Sequence, residues 1–433
     1  MCYNYQLWPE GEEVGGKELT SIIEAIRQNV KYDVSRLVQR IQGDTDRFLV
    51  LVLTVSIFAP FYVSMVCVIG IALMTMLNCK KRVRAFEAPY TKFLFVFLTS
   101  AFFVAATYGN DIGMVYSILM YAIAGCALYV RSVMTRSLFN DAMDLACVGS
   151  IWCLFIALYQ KASAFTAAPG YRPVSVFDNA NYYGMIIEFV VLIALYRIFT
   201  NPDLAAFYFT VIGLNLIGLY LTASFSAFAA LCCAVTLMLC LKGKRRHAFC
   251  FVIAVLVLVE LASAFPLILP RGSDAIDHTL AQRLSIWSTS LKGIEQHPFF
   301  GQGVGSYQMV YERFAGYKTY HCHNLFLDVL LNFGVVGFGA LGVYAAVQAK
   351  LLYLRFRNNI CFDMNVLLTC AAFAVCVHGM TDVTILWIQT AALFTMIYAS
   401  TGIASNYVER VIRRPAFLPG YAEEPAAGVY LKD

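Results

Sequence analysis

Two histidines separated by a single residue, His321 and His323, carry the side chains best suited to acid–base chemistry in this chain. Histidine titrates near neutral pH, so an imidazole here could take a proton from a hydroxyl group. Both belong to Arg283–Asp328, the longest polar stretch of an otherwise apolar sequence, which also contains Lys292 and His297. Ionisable groups concentrated beside apolar segments indicate a functional site.

Composition indicates what must position these residues. Apolar residues make up 60% of the 433 and charged residues only 14%, whereas soluble domains carry about a quarter charged residues. The sequence therefore predicts an all-α integral membrane protein with about twelve transmembrane helices, each near the ~20 residues that a bilayer requires. The predicted segments are two short ones within 48–77, separated near Pro60, and then 90–109, 112–130, 142–160, 179–199, 204–221, 225–241, 248–269, 323–349, 364–381 and 384–404.

The distribution of basic residues predicts the orientation. With both termini cytoplasmic, the dense clusters Lys80–Arg84 and Lys242–Arg246 both fall inside, as the positive-inside rule requires. Residues 1–46 form a predicted cytoplasmic segment with an amphipathic helix, 47–410 the polytopic membrane domain, and 411–433 a cytoplasmic tail. The large loop 270–322 then faces outward, which places the polar stretch outside an inner (cytoplasmic) membrane.

A series of short motifs runs through this region. Arg283 and Trp287 lie in a predicted loop helix, followed by His297-Pro-x-x-Gly-x-Gly and a tyrosine, and then by His323-Asn324-x-x-Leu-x-x-x-Leu-x-x-x-Gly-x-x-Gly. Earlier and later in the chain stand Asp178-Asn179-Ala180-Asn181 and His378-Gly379-Met380-Thr381-Asp382. In this order the motifs resemble the bacterial O-antigen ligase and O-antigen polymerase superfamily of polytopic membrane glycosyltransferases.

The resemblance implies transfer of a glycan from a polyprenyl-diphosphate-linked oligosaccharide to an acceptor hydroxyl on a glycan or lipid-glycan, outside the membrane. The implied enzyme is a metal-independent, inverting glycosyltransferase without a cofactor, and we favour a polymerase of repeat units over a ligase. It would work among membrane lipids, with a flippase and a chain-length regulator as possible partners, and with no nucleic acid.

The resemblance also implies roles for particular residues. His323 would be the general base and Arg283 would hold the diphosphate, since a guanidinium offers forked, permanently charged donors. Arg271 and Lys292 would add positive charge in the same loop. One position departs from the family, because Phe225 stands where an arginine is expected within Thr-x-Ser-Arg-Gly.

Further candidates for substrate binding are Trp287, His297, Asn324, Asp328, Tyr307, His378 and Asp382. Asn324, Asp328 and Asn332 fall four residues apart and predict a polar stripe along one helix face. Asp382 lies one helical turn after His378 and could set the tautomer of its ring, or the two could form an ordinary helix-end pair.

Alternative interpretations stay open for several of these residues. Arg283 could anchor a lipid headgroup, and His323 could be a satisfied histidine at a helix end. His321 and His323 could bind zinc with His297 or His278, but no spacing fixes a third ligand. Glu188 lies inside an apolar span and could face a cavity or bond a neighbouring helix.

Two other classes of protein also remain possible. A transporter or flippase of lipid-linked sugars fits twelve spans, although the chain shows no evident two-fold internal repeat. A catalytically silent scaffold of envelope assembly would fit the missing arginine at Phe225.

Overall fold

The computed structural model describes residues 44–168, 170–265 and 273–405. Across these ranges the secondary structure is helical, without a strand. The chain divides into two compact units, residues 1–49 and 50–433, and only the last six residues of the first unit are among those described. The predicted amphipathic helix of the N-terminal segment, the tail 411–433 and Arg271 lie outside the described residues.

Fifteen α-helices form the described part of the chain. They are α1 (Thr45–Ser56), α2 (Phe61–Leu77), α3 (Cys79–Phe86), α4 (Thr91–Thr107), α5 (Asp111–Val133), α6 (Arg136–Ser163), α7 (Ala180–Thr200), α8 (Ala205–Thr222), α9 (Phe225–Leu241), α10 (Arg245–Ala264), α11 (Ser273–Gln296), α12 (Tyr307–Arg313), α13 (Leu325–Arg357), α14 (Phe362–Gly379) and α15 (Ile388–Tyr398). Short 3-10 helices cover Pro202–Leu204, Thr384–Leu386 and Ala399–Gly402.

The prediction of an α-helical integral membrane protein is confirmed, because the described residues form helices and several of these could cross a membrane. Within the described ranges, seven helices are long and apolar enough to cross a membrane, or eight if α2 and α3, which meet at a bend of 102°, count as one broken span. Each predicted segment coincides with a helix, and the break near Pro60 separates α1 from α2. Several of these helices are shorter than a full span, so the helix assignment alone does not give twelve crossings.

Helix α7 lies at the centre of the bundle, and nearly all of its side chains are buried. It packs against α8, α9 and α14. Because the interior of a membrane offers no water, a helix surrounded by other helices can carry a polar group such as Glu188 only where a partner meets it.

Helices α13 and α14 connect the two ends of the bundle. α13 begins directly after Asn324 and reaches Arg355 near its end, while α14 runs back from Asn365 to His378. Arg355 Nε donates to Asn365 Oδ1 at 3.0 Å, which pairs these ends. The loops that hold His323 and Asp382 therefore lie together at the opposite end of the same two helices.

Candidate functional site

The loop before α13 and the loop after α14 meet through one histidine and one aspartate. His323 Nδ1 lies 3.0 Å from Asp382 Oδ1, although 59 residues separate them. An ionised carboxylate can only accept, so Nδ1 carries the proton and donates it. When the ring is neutral, the other nitrogen, Nε2, therefore carries the lone pair, and Thr319 Oγ1 lies 3.2 Å from it. His323 is therefore held in the tautomer that a general base requires.

The backbone around Asn324 explains why the two loops meet. The Asn324 side chain accepts from the backbone N–H groups of Phe326 and Leu327, which caps α13. Its Nδ2 also donates to the carbonyl of Met380 at 2.9 Å. His323 has a φ of 47°, in the left-handed region, so the chain turns sharply just before the helix starts. One asparagine thus fixes both the start of α13 and its distance from the Asp382 loop.

Asp382 is buried and its carboxylate is fully engaged. Oδ1 also accepts from the backbone N–H of Val383 at 2.8 Å, and Oδ2 accepts from Asn181 Nδ2 at 2.5 Å. Burial alone would raise the pKa of Asp382, but the hydrogen bond from His323 and the charges of the nearby histidines hold that pKa well below its usual range. Asp382 is accordingly a permanent anion that orients the His323 ring.

Behind Asp382 lies an arginine that the sequence analysis did not select. Arg172 Nη2 donates to Asn181 Oδ1 at 2.6 Å, and Arg172 Nε donates to the carbonyl of Thr222 at 2.6 Å. The guanidinium fixes the Asn181 amide so that its NH2 group points at Asp382. Thr222 lies three residues before Phe225, so a guanidinium is present in the turn where the family's arginine is missing. The signal available in the sequence was an arginine between the predicted segments 142–160 and 179–199, in a connection that the proposed orientation places on the same side as the loop 270–322.

His321 lies beside the same carboxylate. Its Nε2 is 3.9 Å from Asp382 Oδ1, and its Nδ1 accepts from the backbone N–H of His323 at 3.2 Å. Burial lowers the pKa of the His321 imidazole, despite the opposing effect of Asp382. One ligand atom from each of His321, His323 and Asp382 lies within 4.8 Å of the others, so the three side chains are close enough to share a metal ion.

Helix α11 brings two more predicted residues to the site. Trp287 Nε1 donates to the carbonyl of His323 at 3.3 Å, which supports the left-handed turn. Arg283, one helical turn earlier, is half-buried and lies within electrostatic reach of His378.

Four predicted residues lie away from the His323–Asp382 pair. The Lys292 ammonium lies over the Phe314 ring, 5.9 Å from its centroid, and the His297 ring packs edge-on against Tyr108 at 4.8 Å. Tyr307 is fully buried, with its hydroxyl donating to the Tyr317 carbonyl. Asp328 accepts from the backbone N–H of Cys322 and from the Asn332 side chain.

His378 has a different partner from the one that its spacing suggested. Its Nδ1 lies 2.6 Å from Glu188 Oε1 on α7, and both side chains are completely buried. Asp382 is joined to His378 only through the backbone, by a hydrogen bond from its N–H to the His378 carbonyl. The sequence analysis identified Glu188 as an intramembrane acid, and this pairing accounts for its position.

The turn that contains Gly301 and Gly303 packs against α13. Gly301 and Gly334 both have a φ of 63°. A Cβ on Gly301 would come within 2.4 Å of the Asn332 backbone, and one on Gly334 within 2.3 Å of the Phe299 backbone. Asn332 also accepts from the Gly303 N–H through its carbonyl. The two glycines therefore permit a close backbone contact that larger residues would prevent.

An apolar groove of about 580 Å³ opens beside the site, between α13 and α14. Its lining includes Asn324, which directly follows His323, Met380, which lies two residues before Asp382, and the apolar side chains of Phe326 and Phe373. Its volume falls within the range of ligand-binding pockets. The groove has room for an apolar chain next to the ionisable groups.

These features define a class of protein: a multi-pass α-helical membrane protein with a paired histidine and aspartate at one end of its bundle, beside an apolar groove. Residues 209–342 match the family model of O-antigen ligase, which confirms the resemblance and identifies this segment as a domain of the O-antigen ligase and polymerase superfamily. No curated protein matches the chain. The matched segment includes Arg283 and His323, whereas Arg172 and Asp382 lie outside it.

Proposed function

We propose that the protein transfers a glycan from a polyprenyl-diphosphate carrier to an acceptor hydroxyl at the outer face of the inner membrane. A membrane glycan-transfer role follows from the family match. Our more specific proposal is a metal-independent, inverting polymerase that joins lipid-linked repeat units. It would act alongside a flippase that delivers these units and a regulator of chain length.

The observation that carries the proposal is the pairing of His323 with Asp382. The side chain of His323 is 25% exposed, whereas that of Asp382 is 2% exposed. A buried anion thus orients an imidazole whose Nε2 can reach a substrate. This is the arrangement that activates a hydroxyl nucleophile, since the anion fixes the tautomer and stabilises the imidazolium that forms.

The reaction would be a single displacement. The acceptor oxygen forms a bond to the anomeric carbon while the bond from that carbon to the phosphate oxygen breaks, which inverts the configuration. His323 Nε2 takes the acceptor's proton, and the electron pair leaves with the polyprenyl diphosphate. Arg283 would stabilise this departing anion, because a fixed guanidinium meets the developing charge without reorganisation.

The groove between α13 and α14 supports a lipid-linked donor. A polyprenyl chain lying against Phe326 and Phe373 would bring its diphosphate to the end of the groove at Asn324 and Met380. His323 directly precedes Asn324, and Asp382 lies two residues after Met380, so the sugar attached to that diphosphate would lie beside the general base.

The arrangement of basic residues supports the proposed orientation. Lys81 Nζ donates to Tyr129 Oη at 3.1 Å, and Lys242 forms an ion pair of 2.5 Å with Asp363 at the start of α14. These residues lie at the end of the bundle opposite His323. The positive-inside rule would make that end cytoplasmic. Twelve crossings with cytoplasmic termini remain our proposal for the topology.

Single alanine variants of the two histidines test the proposal. We expect His323→Ala to lower the transfer rate by about 10²–10⁴-fold, the usual contribution of a general base. We expect His321→Ala to have a much smaller effect, because His321 has no ion-paired contact as short as that of His323. The measurement is elongation of purified lipid-linked repeat units by the protein in proteoliposomes.

Four outcomes would contradict the proposal. Near-normal elongation by His323→Ala would remove this residue from the mechanism. Equal loss in both variants, together with inhibition by a chelator, would favour a metal ion held by His321, His323 and Asp382. Absence of elongation by the wild-type protein, with movement of the lipid-linked unit across the bilayer, would indicate a transporter; absence of both would indicate a scaffold.

A further inference from the structure

A second cavity, of about 370 Å³, lies at the end of the bundle opposite His323. Its walls are mostly apolar and include Tyr344, Leu352 and Phe394, while Arg131 and Arg355 stand at its border. From Asn365, which bonds Arg355, to His378, α14 rises about 20 Å at 1.5 Å per residue. This cavity is therefore separate from the acid–base site and from its groove.

Two guanidinium groups, those of Arg131 and Arg355, line this cavity, and a third, that of Arg136, lies near Arg355. Arg131 and Arg136 both lie within electrostatic reach of Arg355. The hydrogen bonds of Arg355 go to Asn365 Oδ1 and to the carbonyls of Ser400, Thr401 and Ile403, all of which are neutral. Arg355 is only 2% exposed. Its positive charge is therefore buried, and the acceptors of its hydrogen bonds are neutral.

The other two arginines also have neutral partners. Arg131 Nε donates to Thr401 Oγ1 at 3.0 Å, and Arg136 Nη2 donates to Cys361 Sγ at 3.5 Å. Within residues 44–168, 170–265 and 273–405, none of the three guanidinium groups forms an ion pair with a carboxylate. In the same ranges, Nη1 and Nη2 of Arg131 form no hydrogen bond.

Like charges brought together without a counter-charge destabilise a fold unless a bound anion neutralises them. The occupant must therefore be anionic at the arginines and apolar along the wall of Tyr344, Leu352 and Phe394. Basic pockets between transmembrane helices on the cytoplasmic side bind anionic lipid headgroups. We propose that this cavity binds one anionic phospholipid, with its phosphate on Arg131 near Arg355 and an acyl chain along the apolar wall.

The proposal needs only that these helices lie in a membrane. Assignment of the lipid to the cytoplasmic leaflet additionally rests on the orientation in the proposed function. The site would therefore persist if the catalytic proposal failed, because none of its residues contacts His323 or Asp382.

Two variants remove different halves of the site. Arg131→Gln removes the charge that has unused donors, and Ala345→Leu places extra bulk at an exposed alanine that lines the cavity. Each has a matched control on α13. Arg357→Gln removes an exposed charge at the same end of the bundle, and Ala346→Leu enlarges the neighbouring alanine, which is also exposed but does not line the cavity.

The experiment measures binding of phosphatidylglycerol, phosphatidylcholine and inorganic phosphate to the delipidated full-length protein by native mass spectrometry. We expect one tightly held phosphatidylglycerol. Its affinity should fall about tenfold or more in Arg131→Gln, since a charge-assisted hydrogen bond is lost, and should also fall in Ala345→Leu. The two control variants should bind like the wild type.

Several results would overturn the proposal. Equal binding of phosphatidylcholine would mean that the apolar wall acts alone. Binding of inorganic phosphate as tight as that of phosphatidylglycerol would indicate a site for a free anion. Absence of phosphatidylglycerol binding, or equal weakening in the control variants, would mean that the cavity holds no lipid of this kind.

Discussion

The most informative perturbation of the site is Asp382→Asn, which keeps the size of the side chain and removes its charge. The carboxylate accepts from His323 Nδ1 through Oδ1 and from Asn181 Nδ2 through Oδ2. An amide offers only one accepting oxygen, so its NH2 group must face one of these two donors. In both orientations the negative charge that stabilises the His323 imidazolium is lost, and where the NH2 group faces His323 the ring also changes tautomer, so that Nε2 becomes protonated.

The expected cost follows because His323 is no longer a base whose protonated form is stabilised by an adjacent anion. Loss of a positioned general base lowers the rate by about 10²–10⁴-fold, which corresponds to about 3–5 kcal/mol of barrier at 1.36 kcal/mol per factor of ten. We expect this loss in the rate of elongation by proteoliposomes. The matched control is Asp363→Asn at the opposite end of the bundle, where the carboxylate pairs with Lys242. That variant should keep its activity.

The lowered pKa of Asp382 makes a second measurement possible. The stabilisation that its ionised form provides is present above the unfolded pKa of ~3.9 and is lost only as the pH falls through the lower folded pKa. Titration of Asp382 should therefore not contribute to any change in wild-type thermal stability between about pH 5 and pH 8. An Asp382→Asn protein that folds and elongates within about threefold of the wild-type rate would refute this account of His323.

Three further predictions concern the cations and the topology. Cells that carry Arg283→Lys should accumulate unpolymerised lipid-linked units, because one ammonium cannot bind two diphosphate oxygens side by side. The control is Arg313→Ala, which removes a guanidinium that bonds Gln296 and should have a mild effect. Intact polymer in Arg283→Lys would mean that other residues bind the diphosphate. Arg172→Gln should slow elongation by about tenfold or more through release of the Asn181 amide, and an unchanged rate would show that Asn181 is held without it. In a background without native cysteines, an impermeant reagent should label Tyr320→Cys from outside and not Lys244→Cys, both at exposed positions; the reverse pattern would invert the proposed orientation.

The helices could be predicted from the sequence because most of them are continuous apolar segments of about the length that a bilayer requires. The break near Pro60 and the start of α13 at Asn324 follow from local rules, since proline lacks the N–H that a helix needs and asparagine caps a helix start. The motif order was likewise enough to recognise the family. These features depend on residues that are close together along the chain.

The pairing inside the site could not be predicted from spacing. Asp382 lies four residues after His378, so local geometry suggested that these two residues pair. In the folded protein, Asp382 instead contacts His323, and His378 contacts Glu188. Arg172 was missed because its contact with Thr222 joins residues 50 positions apart, and its contact with Asn181 depends on how the loop before α7 folds. Long-range partners depend on how α7, α13 and α14 pack, which no window of the sequence contains.

The groove between α13 and α14 has a mostly apolar lining, of which Phe326, Phe373 and Met380 are exposed on the surface of these helices. A carrier that enters there arrives by diffusion in the plane of the bilayer, so the quantity that sets its supply is its mole fraction among the lipids. Dilution of reconstituted vesicles with buffer would leave the elongation rate unchanged. Dilution of the same carrier with additional phospholipid would lower that rate in proportion.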